Sequence, residues 1–390
     1  MEKRRITLAL IVLFICALAL MAGWGRIFTR TGSENGGNED AWRPGVPIDK
    51  AHLKIGVIHI TNPTYEKSGF AYAHEVGIQE MRRAIGLDDD AIIHKNSISD
   101  TNPVEIEHVM RECIAAGARV IIATSWGYMA TCEKLAQEFP GVVFAHTSGY
   151  KRNDSNFTNY FGRIYEPRYL SGIAAGLRTE TNKIGYVAAM GKNNSEVTGG
   201  IDAFAIGVES VNPDARIYVR VTERWYDPPE EANAAKGLIL DGCDVIAQHT
   251  DSDIPQIEAR RAGVWGVGYN TDMGEHVSDT VIVSVVWNWG VYYTHLIRSV
   301  IDGSFTTAPY FGSMRDGMVG LSSLNETILP SGAREVIEAA RGRIESGEFG
   351  IFDGVMETND GRLVGKEGET LSDSEITLGI DWYYRNVIER

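Results

Sequence analysis

The chain has 390 residues, 44% hydrophobic and 23% charged, with a formal net charge of −15 at pH 7. That composition is globular, is long enough for two domains or one large doubly wound unit, and is too acidic for the basic face of a nucleic-acid binder. The four cysteines, Cys16, Cys113, Cys132 and Cys243, show no CxxC spacing, which excludes the usual zinc and dithiol motifs.

At the N-terminus, Lys3, Arg4 and Arg5 precede an uncharged run from Ile6 to Gly23. A basic start before an apolar core is an export pattern. Residues 1–23 are read as a signal peptide or a membrane anchor, a choice that the length of the run leaves open. Cys16 follows Leu13, Phe14 and Ile15 rather than a small residue, so no lipid is expected on it. Residues 24–52, rich in Gly, Ser, Asn and Glu, read as a flexible linker. The working domain, residues 53–390, is then expected to be extracytoplasmic and membrane-associated, at a cell surface or in a periplasm.

From there the sequence repeats itself. Lys54-Ile-Gly-Val-Ile is matched by Lys183-Ile-Gly-Tyr-Val, Gly117-Ala-Arg-Val-Ile-Ile by Gly242-Cys-Asp-Val-Ile-Ala, and Gly141-Val-Val-Phe-Ala by Gly263-Val-Trp-Gly-Val. Between these apolar strands lie helical patterns, roughly Phe70–Ile85, Pro103–Ala116, Tyr128–Phe139, Glu196–Ser210, Pro228–Asp241 and Pro255–Ala262. Strands alternating with helices predict an α/β architecture of two lobes, each with a doubly wound parallel sheet.

In such sheets ligands bind beyond the carboxyl ends of the strands. The residues falling there include Asn62, Tyr65, Phe70, Tyr72 and His74, then Ser125, Trp126 and Tyr128, then His146 and Tyr150. In the second half they include Trp225, His249, Asp251, Asn270, Asp272 and Trp287. Rings mixed with a few amides and carboxylates suit a flat, neutral, hydrogen-bonding ligand. A phosphate would ask for a Gly-rich loop, and no GxGxxG or GxxxxGKS run is present.

Several of these residues have a plainer reading. Trp287 and Trp289, at alternate positions, share a strand face and could be ordinary packing. His249 with Asp251 is either a catalytic pair or a hydrogen-bonded wall, and His249, Asp251 and Asp253 form a weak metal pattern. Ser125, His146 and Asp272 can be drawn as a triad, though nothing in the sequence places them together. No G-x-S-x-G or H-E-x-x-H motif occurs, so neither catalysis nor a cofactor is expected. Cys113, Cys132 and Cys243 fall in apolar helical patterns, where buried free thiols are expected.

From Lys54 onward the chain resembles the basic membrane protein family of substrate-binding proteins. The resemblance is carried by Thr124-Ser-Trp-Gly-Tyr-Met, His146-Thr-Ser-Gly-Tyr, Gly162-Arg-Ile-Tyr-Glu-Pro-Arg-Tyr, Trp225-Tyr-Asp-Pro, Ala247-Gln-His-Thr-Asp-Ser, Thr271-Asp-Met and Asn288-Trp-Gly-Val-Tyr-Tyr. It implies the two-lobed type I periplasmic-binding-protein fold and capture of purines or nucleosides for an ABC permease. It also implies a base stacked between rings, with Phe70 and Trp126 on the first lobe and Asp272 hydrogen-bonding from the second. Nucleoside-binding members carry an Asn-Asp pair after the first strand and a lysine near the strand end that here holds Trp287. This chain reads Asn62-Pro-Thr-Tyr-Glu-Lys instead, which resembles the subgroup associated with free purine bases such as adenine.

The expectation is a non-enzymatic, monomeric binding protein for a purine base or nucleoside. Its expected ligand-binding residues are Phe70, Tyr72, Ser125, Trp126, Tyr128, Trp225, His249, Asp251, Asp272 and Trp287. The alternatives are a membrane-anchored ligand sensor and a nucleoside hydrolase using Asp251 and Asp272. The lobes are expected at about 53–175 plus 286–315 and 176–285 plus 316–390. Hinge crossings are expected near Ala174–Thr181, Ser284–Asn288 and Gly312–Gly320.

Overall fold

Strand β1 (Lys54–Ile58) is buried at every position after Lys54, as its unbroken apolar run requires of a central parallel strand. In chain order follow α1 (Gly69–Ile85), β2 (Ile92–Lys95), α2 (Pro103–Ala115), β3 (Ala118–Ala123), α3 (Met129–Glu138), β4 (Val143–Thr147) and β5 (Phe157–Gly162). A second series runs α4 (Tyr165–Arg178), β6 (Lys183–Ala188), α5 (Ser195–Val211), β7 (Arg216–Val221), α6 (Pro228–Leu240), β8 (Val245–His249), α7 (Ile254–Ala262), β9 (Trp265–Asn270) and β10 (Val281–Trp287). The chain then passes through α8 (Trp289–Asp302), β11 (Tyr310–Gly312), β12 (Val319–Leu321) and α9 (Ala333–Ser346). It ends with a hairpin of β13 (Asp353–Glu357) and β14 (Leu363–Thr370), α10 (Asp373–Leu378) and β15 (Val387–Glu389). This computed structural model describes residues 42–64, 67–277 and 279–390. The export segment, residues 1–23, lies outside the described residues.

Two large sheets result. The first has the order β11-β5-β4-β3-β1-β2 and is parallel throughout. The second has the order β12-β10-β9-β8-β6-β7-β15, parallel except for the β10–β12 pair. The internal repeat has a packing basis. A Cβ on Gly56 would lie 2.8 Å from Cys113 and Ile121, and one on Gly185 would lie 2.9 Å from Leu238 and Ile246. In both lobes the glycine lets a helix close on the central strand. Helices α2 and α6 also start alike: Asn102 and Asp227 accept from the N–H of Glu105 and Glu230, with Pro103 and Pro228 in the first turn. Cys113, Cys132 and Cys243 are free and buried.

The chain crosses between the sheets three times. The second crossing is Trp287–Trp289 and the third runs from Gly312 to Val319. The first differs from the expected Ala174–Thr181: it lies at Gly162–Tyr165, so α4 belongs to the second lobe. A methyl group on Gly172 of α4 would overlap the Phe204 carbonyl of α5, and one on Gly207 of α5 would overlap the Tyr169 carbonyl of α4. The crossings are tied together: Arg163 N–H donates to the Gly312 carbonyl at 2.7 Å, and Met314 N–H donates to Glu166 at 2.8 Å. Arg163 also places Nε and Nη2 on Asp373 of α10, at 2.9 and 3.0 Å.

The expected linker is too long at its end. Ile48 N–H donates to the Ile301 carbonyl at 3.0 Å, and Asp49 caps a single helical turn over Lys50–His52. These residues belong to the folded unit Arg43–Arg390.

Candidate functional site

The carboxyl ends of the two sheets meet where α1 begins. Gly69, at φ 84°, opens that helix, and a methyl group there would overlap the Asp251 carbonyl beyond β8. Only glycine permits this approach between lobes. Asp251 is fixed in turn: its N–H donates to the Trp225 carbonyl at 2.7 Å, and its carboxylate accepts from the Asn270 amide at 2.9 Å. Asn270 ends β9 at φ 69°, a left-handed conformation that asparagine tolerates better than most side chains.

Behind this contact the second lobe holds a buried polar group. His249 lies edge-on to Trp225 at 5.8 Å and to Tyr269 at 4.6 Å. Arg168, fully buried on α4, sits 4.2 Å over the Tyr269 ring and donates Nη1–H to the Gln248 carbonyl at 2.6 Å. Glu196, in the first turn of α5, is 3.9 Å from His249. Burial pushes the Glu196 carboxyl up to about 7 against the pull of Arg168. Burial, and then Arg168, pushes His249 well down, so its ring is neutral and the 3.9 Å approach is not an ion pair.

An aromatic column continues into the first lobe. Trp287 stacks on Trp289 at 4.4 Å and 11°, and Trp289 on His74 at 4.1 Å and 26°. Phe70 meets His74 edge-on at 4.3 Å. Trp287 Nε1–H donates to the Tyr269 hydroxyl at 3.1 Å, which joins the column to the second lobe.

The sequence-predicted residues distribute unevenly over this arrangement. Phe70 and Tyr72 lie half-buried on the first turn of α1, and Trp225 and Asp251 lie half-buried opposite. His249 and Trp287 are buried behind them. Trp287 and Trp289 do not share a strand face: Trp287 ends β10 and Trp289 starts α8, and the turn between them still stacks the rings. Trp126 follows β3 at the rim, 47% exposed and 5.9 Å from Tyr150. Asp272 is half-buried after β9 and accepts from the Gly274 N–H at 2.9 Å.

Tyr128 requires correction. It is fully buried in the first lobe's hydrophobic core with Ile98, Cys132 and Phe144, and its hydroxyl donates to the Ile98 carbonyl at 2.6 Å. It is a packing residue. The Ser125 hydroxyl donates to Asp100 at 2.7 Å, while His146 holds the carbonyl of Ser125 rather than its hydroxyl. The drawn triad is therefore not assembled. Among the described residues no group of His, Cys, Asp or Glu is arranged to hold a metal ion. The sequence reading does not single out Arg168 or Glu196, and it mentions His74 and Trp289 without placing them in the site. The only available signal was an arginine inside an otherwise apolar helical stretch.

Two surface grooves, of about 400 and 570 Å³, lie elsewhere. One is lined by Asp253, Arg260 and His276 and the other by Glu80, His295 and Arg298, and neither includes a residue of the strand-end cluster. At the cluster the two lobes touch through Gly69 and Asp251.

Comparison with known proteins gives the class. The chain belongs to the Bmp family, ABC transporter substrate-binding protein PnrA-like, whose profile matches residues 55–345. It is similar to a purine-binding protein of Brucella abortus, 34% identical over 338 residues, covering 87% of this chain and 93% of that one. It is also 35% identical over 286 residues to a putative ABC transporter glucose-binding protein of Haloferax volcanii, covering 73% and 71%. An ABC transporter solute-binding protein of Aeropyrum pernix superposes with a TM-score of 0.64 at 16% identity over 84% of this chain and 98% of that one. That likeness shows the type I periplasmic-binding fold.

Proposed function

We propose that this substrate-binding protein captures a purine base of the adenine type, or a purine nucleoside, between its lobes and delivers it to an ABC permease from outside the cytoplasm. The carrying observation is the seam at Gly69 and Asp251, where Phe70, packed on His74 and Trp289, begins the helix that touches the loop beyond β8, beside the Trp225–His249 wall. Phe70, Trp126 and Trp225 supply ring faces, and Asp251, Asn270 and Asp272 supply polar groups. A purine uses both kinds of contact. The family, one of substrate-binding proteins, supports binding without turnover.

The similarity to a protein with glucose in its name makes a sugar the competing ligand. A hexose would use the carboxylates and would leave the column without a flat partner. Denaturing the purified chain and identifying the released small molecules by mass spectrometry separates the two. A purine is expected; a hexose in its place would overturn the reading.

A further inference from the structure

Among the described residues, the seam contains buried polar atoms with no hydrogen-bond partner. His74 Nε2, Trp289 Nε1 and Asn270 Oδ1 belong to residues with no measurable exposure, and each lacks a hydrogen-bond partner. An orphaned buried polar group costs about 1–3 kcal/mol, so these at one lobe junction, beside the unpartnered nitrogens of His249 and Arg168, need an explanation.

Their roles are assigned from their neighbours. An indole nitrogen only donates, so Trp289 offers an N–H. His74 Nδ1 lies 2.6 Å from the Tyr293 hydroxyl, which lies 2.9 Å from the Tyr160 hydroxyl. With Tyr160 donating to Tyr293 and Tyr293 donating to Nδ1, the ring hydrogen of His74 is left on Nε2. Asn270 turns its amide NH₂ toward the Asp251 carboxylate, which can only accept, and so leaves Oδ1 as an acceptor. The first lobe thus presents two unused donors on nearly parallel rings, and the second presents the unused Asn270 acceptor near His249 and Arg168, whose ring and guanidinium nitrogens are also in part unpartnered among the described residues. His74 lies one helical turn beyond Phe70 on α1, whose first residue, Gly69, touches Asp251. The donors and the acceptor therefore sit on elements that adjoin the Gly69–Asp251 contact.

We infer that His74 and Trp289 are a donor pair, and Asn270 the opposing acceptor, that read the edges of a heteroaromatic ligand offering two ring acceptors to the first lobe and an N–H to the second. This rests on the purine reading above and names the residues that give it specificity. Phe70 and Trp225 would accept any flat ring, whereas the three polar atoms select by the positions of ring nitrogens. His74 and Trp289 are stacked and come from elements far apart in sequence, so both donors are positioned only when α1 and α8 are packed.

Calorimetry with the intact protein tests this through the ligand. Adenine is compared with its 1-deaza, 3-deaza and 7-deaza analogues, each of which replaces one ring nitrogen by C–H at almost constant shape. Two of the three should bind about tenfold or more weakly, because each leaves one N–H unpaired. In His74→Phe, which keeps a ring in the stack, one of those penalties should vanish, and in Trp289→Phe the other should. Equal binding of all three analogues and adenine by the wild type would overturn the assignment while leaving the purine reading intact, with no variant needed. Failure of the wild type to bind any purine would sink the purine reading itself, and this inference with it.

Discussion

At the scale of single residues, the site separates groups that hold the protein from groups left for a ligand. Gln248, fully buried, places its amide on the Ser252 carbonyl at 2.6 Å and accepts from Gln256 at 3.0 Å, so it serves the loop after β8. Phe70, Trp126 and Trp225 keep part of their rings exposed. Stacking of a base on such a ring is worth roughly 1–3 kcal/mol, and an unpaired hydrogen-bonding group in a buried site costs about as much. Trp126→Ala, Trp225→Ala and Asp272→Ala should therefore each weaken adenine binding by about ten- to a hundredfold by calorimetry. Asp272 also caps the turn at Gly274, so Asp272→Asn, which retains a capping oxygen, should separate ligand loss from local unfolding. Wild-type affinity in all three alanine variants would remove these residues from the site.

At the scale of elements, the crossings between lobes carry a buried titratable group, Glu166. Burial pushes the Glu166 carboxyl up to about 7, although the Met314 N–H and Arg163 pull it the other way. Its ordinary value is 4.5, so between pH 4.5 and about 7 the folded chain holds a proton that the unfolded chain has lost. The stability from this group is fully present below pH 4.5 and is lost as pH rises through about 7. Glu166→Gln removes that loss while keeping an acceptor for Met314. The variant should match the wild type near pH 4 and be more stable near pH 8 by up to about 3 kcal/mol in chemical denaturation. Identical pH profiles for the two proteins would show that Glu166 does not titrate in this range.

The elements also show what the sequence could and could not reveal. The βα repeat was legible because buried parallel strands are unbroken apolar runs and because Asn102-Pro103 and Asp227-Pro228 announce helix starts. Helix α4 was not legible: residues 166–176 are buried all around, Glu166 and Arg168 included, so its burial does not follow its polar and apolar residues. Missing α4 displaced the first crossing to the next visible break, Ala174–Thr181. Helix α8 was hidden because Trp287 and Trp289 read as one strand face. Of the site, the strand-end aromatics and carboxylates were visible locally. The His74–Trp289 stack was not, since it joins residues from opposite ends of the domain. Tyr128 was misread because a polar group after a strand looks exposed, and only the three-dimensional turn shows its hydroxyl reaching back to Ile98.

At the scale of the whole molecule, the account depends on two lobes closing over a purine. The contact of Gly69 with Asp251 makes closure specific, because a side chain at Gly69 would collide with the opposite lobe and would force a positive φ costing roughly 1–2 kcal/mol. A ligand can favour the closed state only by its differential affinity for it. Small-angle X-ray scattering of the protein with and without adenine, beside Gly69→Ala, measures this most directly. Adenine should reduce the radius of gyration of the wild type, glucose should not, and Gly69→Ala should stay extended at adenine concentrations that close the wild type. A wild-type curve unchanged by adenine, or one compacted by glucose instead, would contradict closure over a purine.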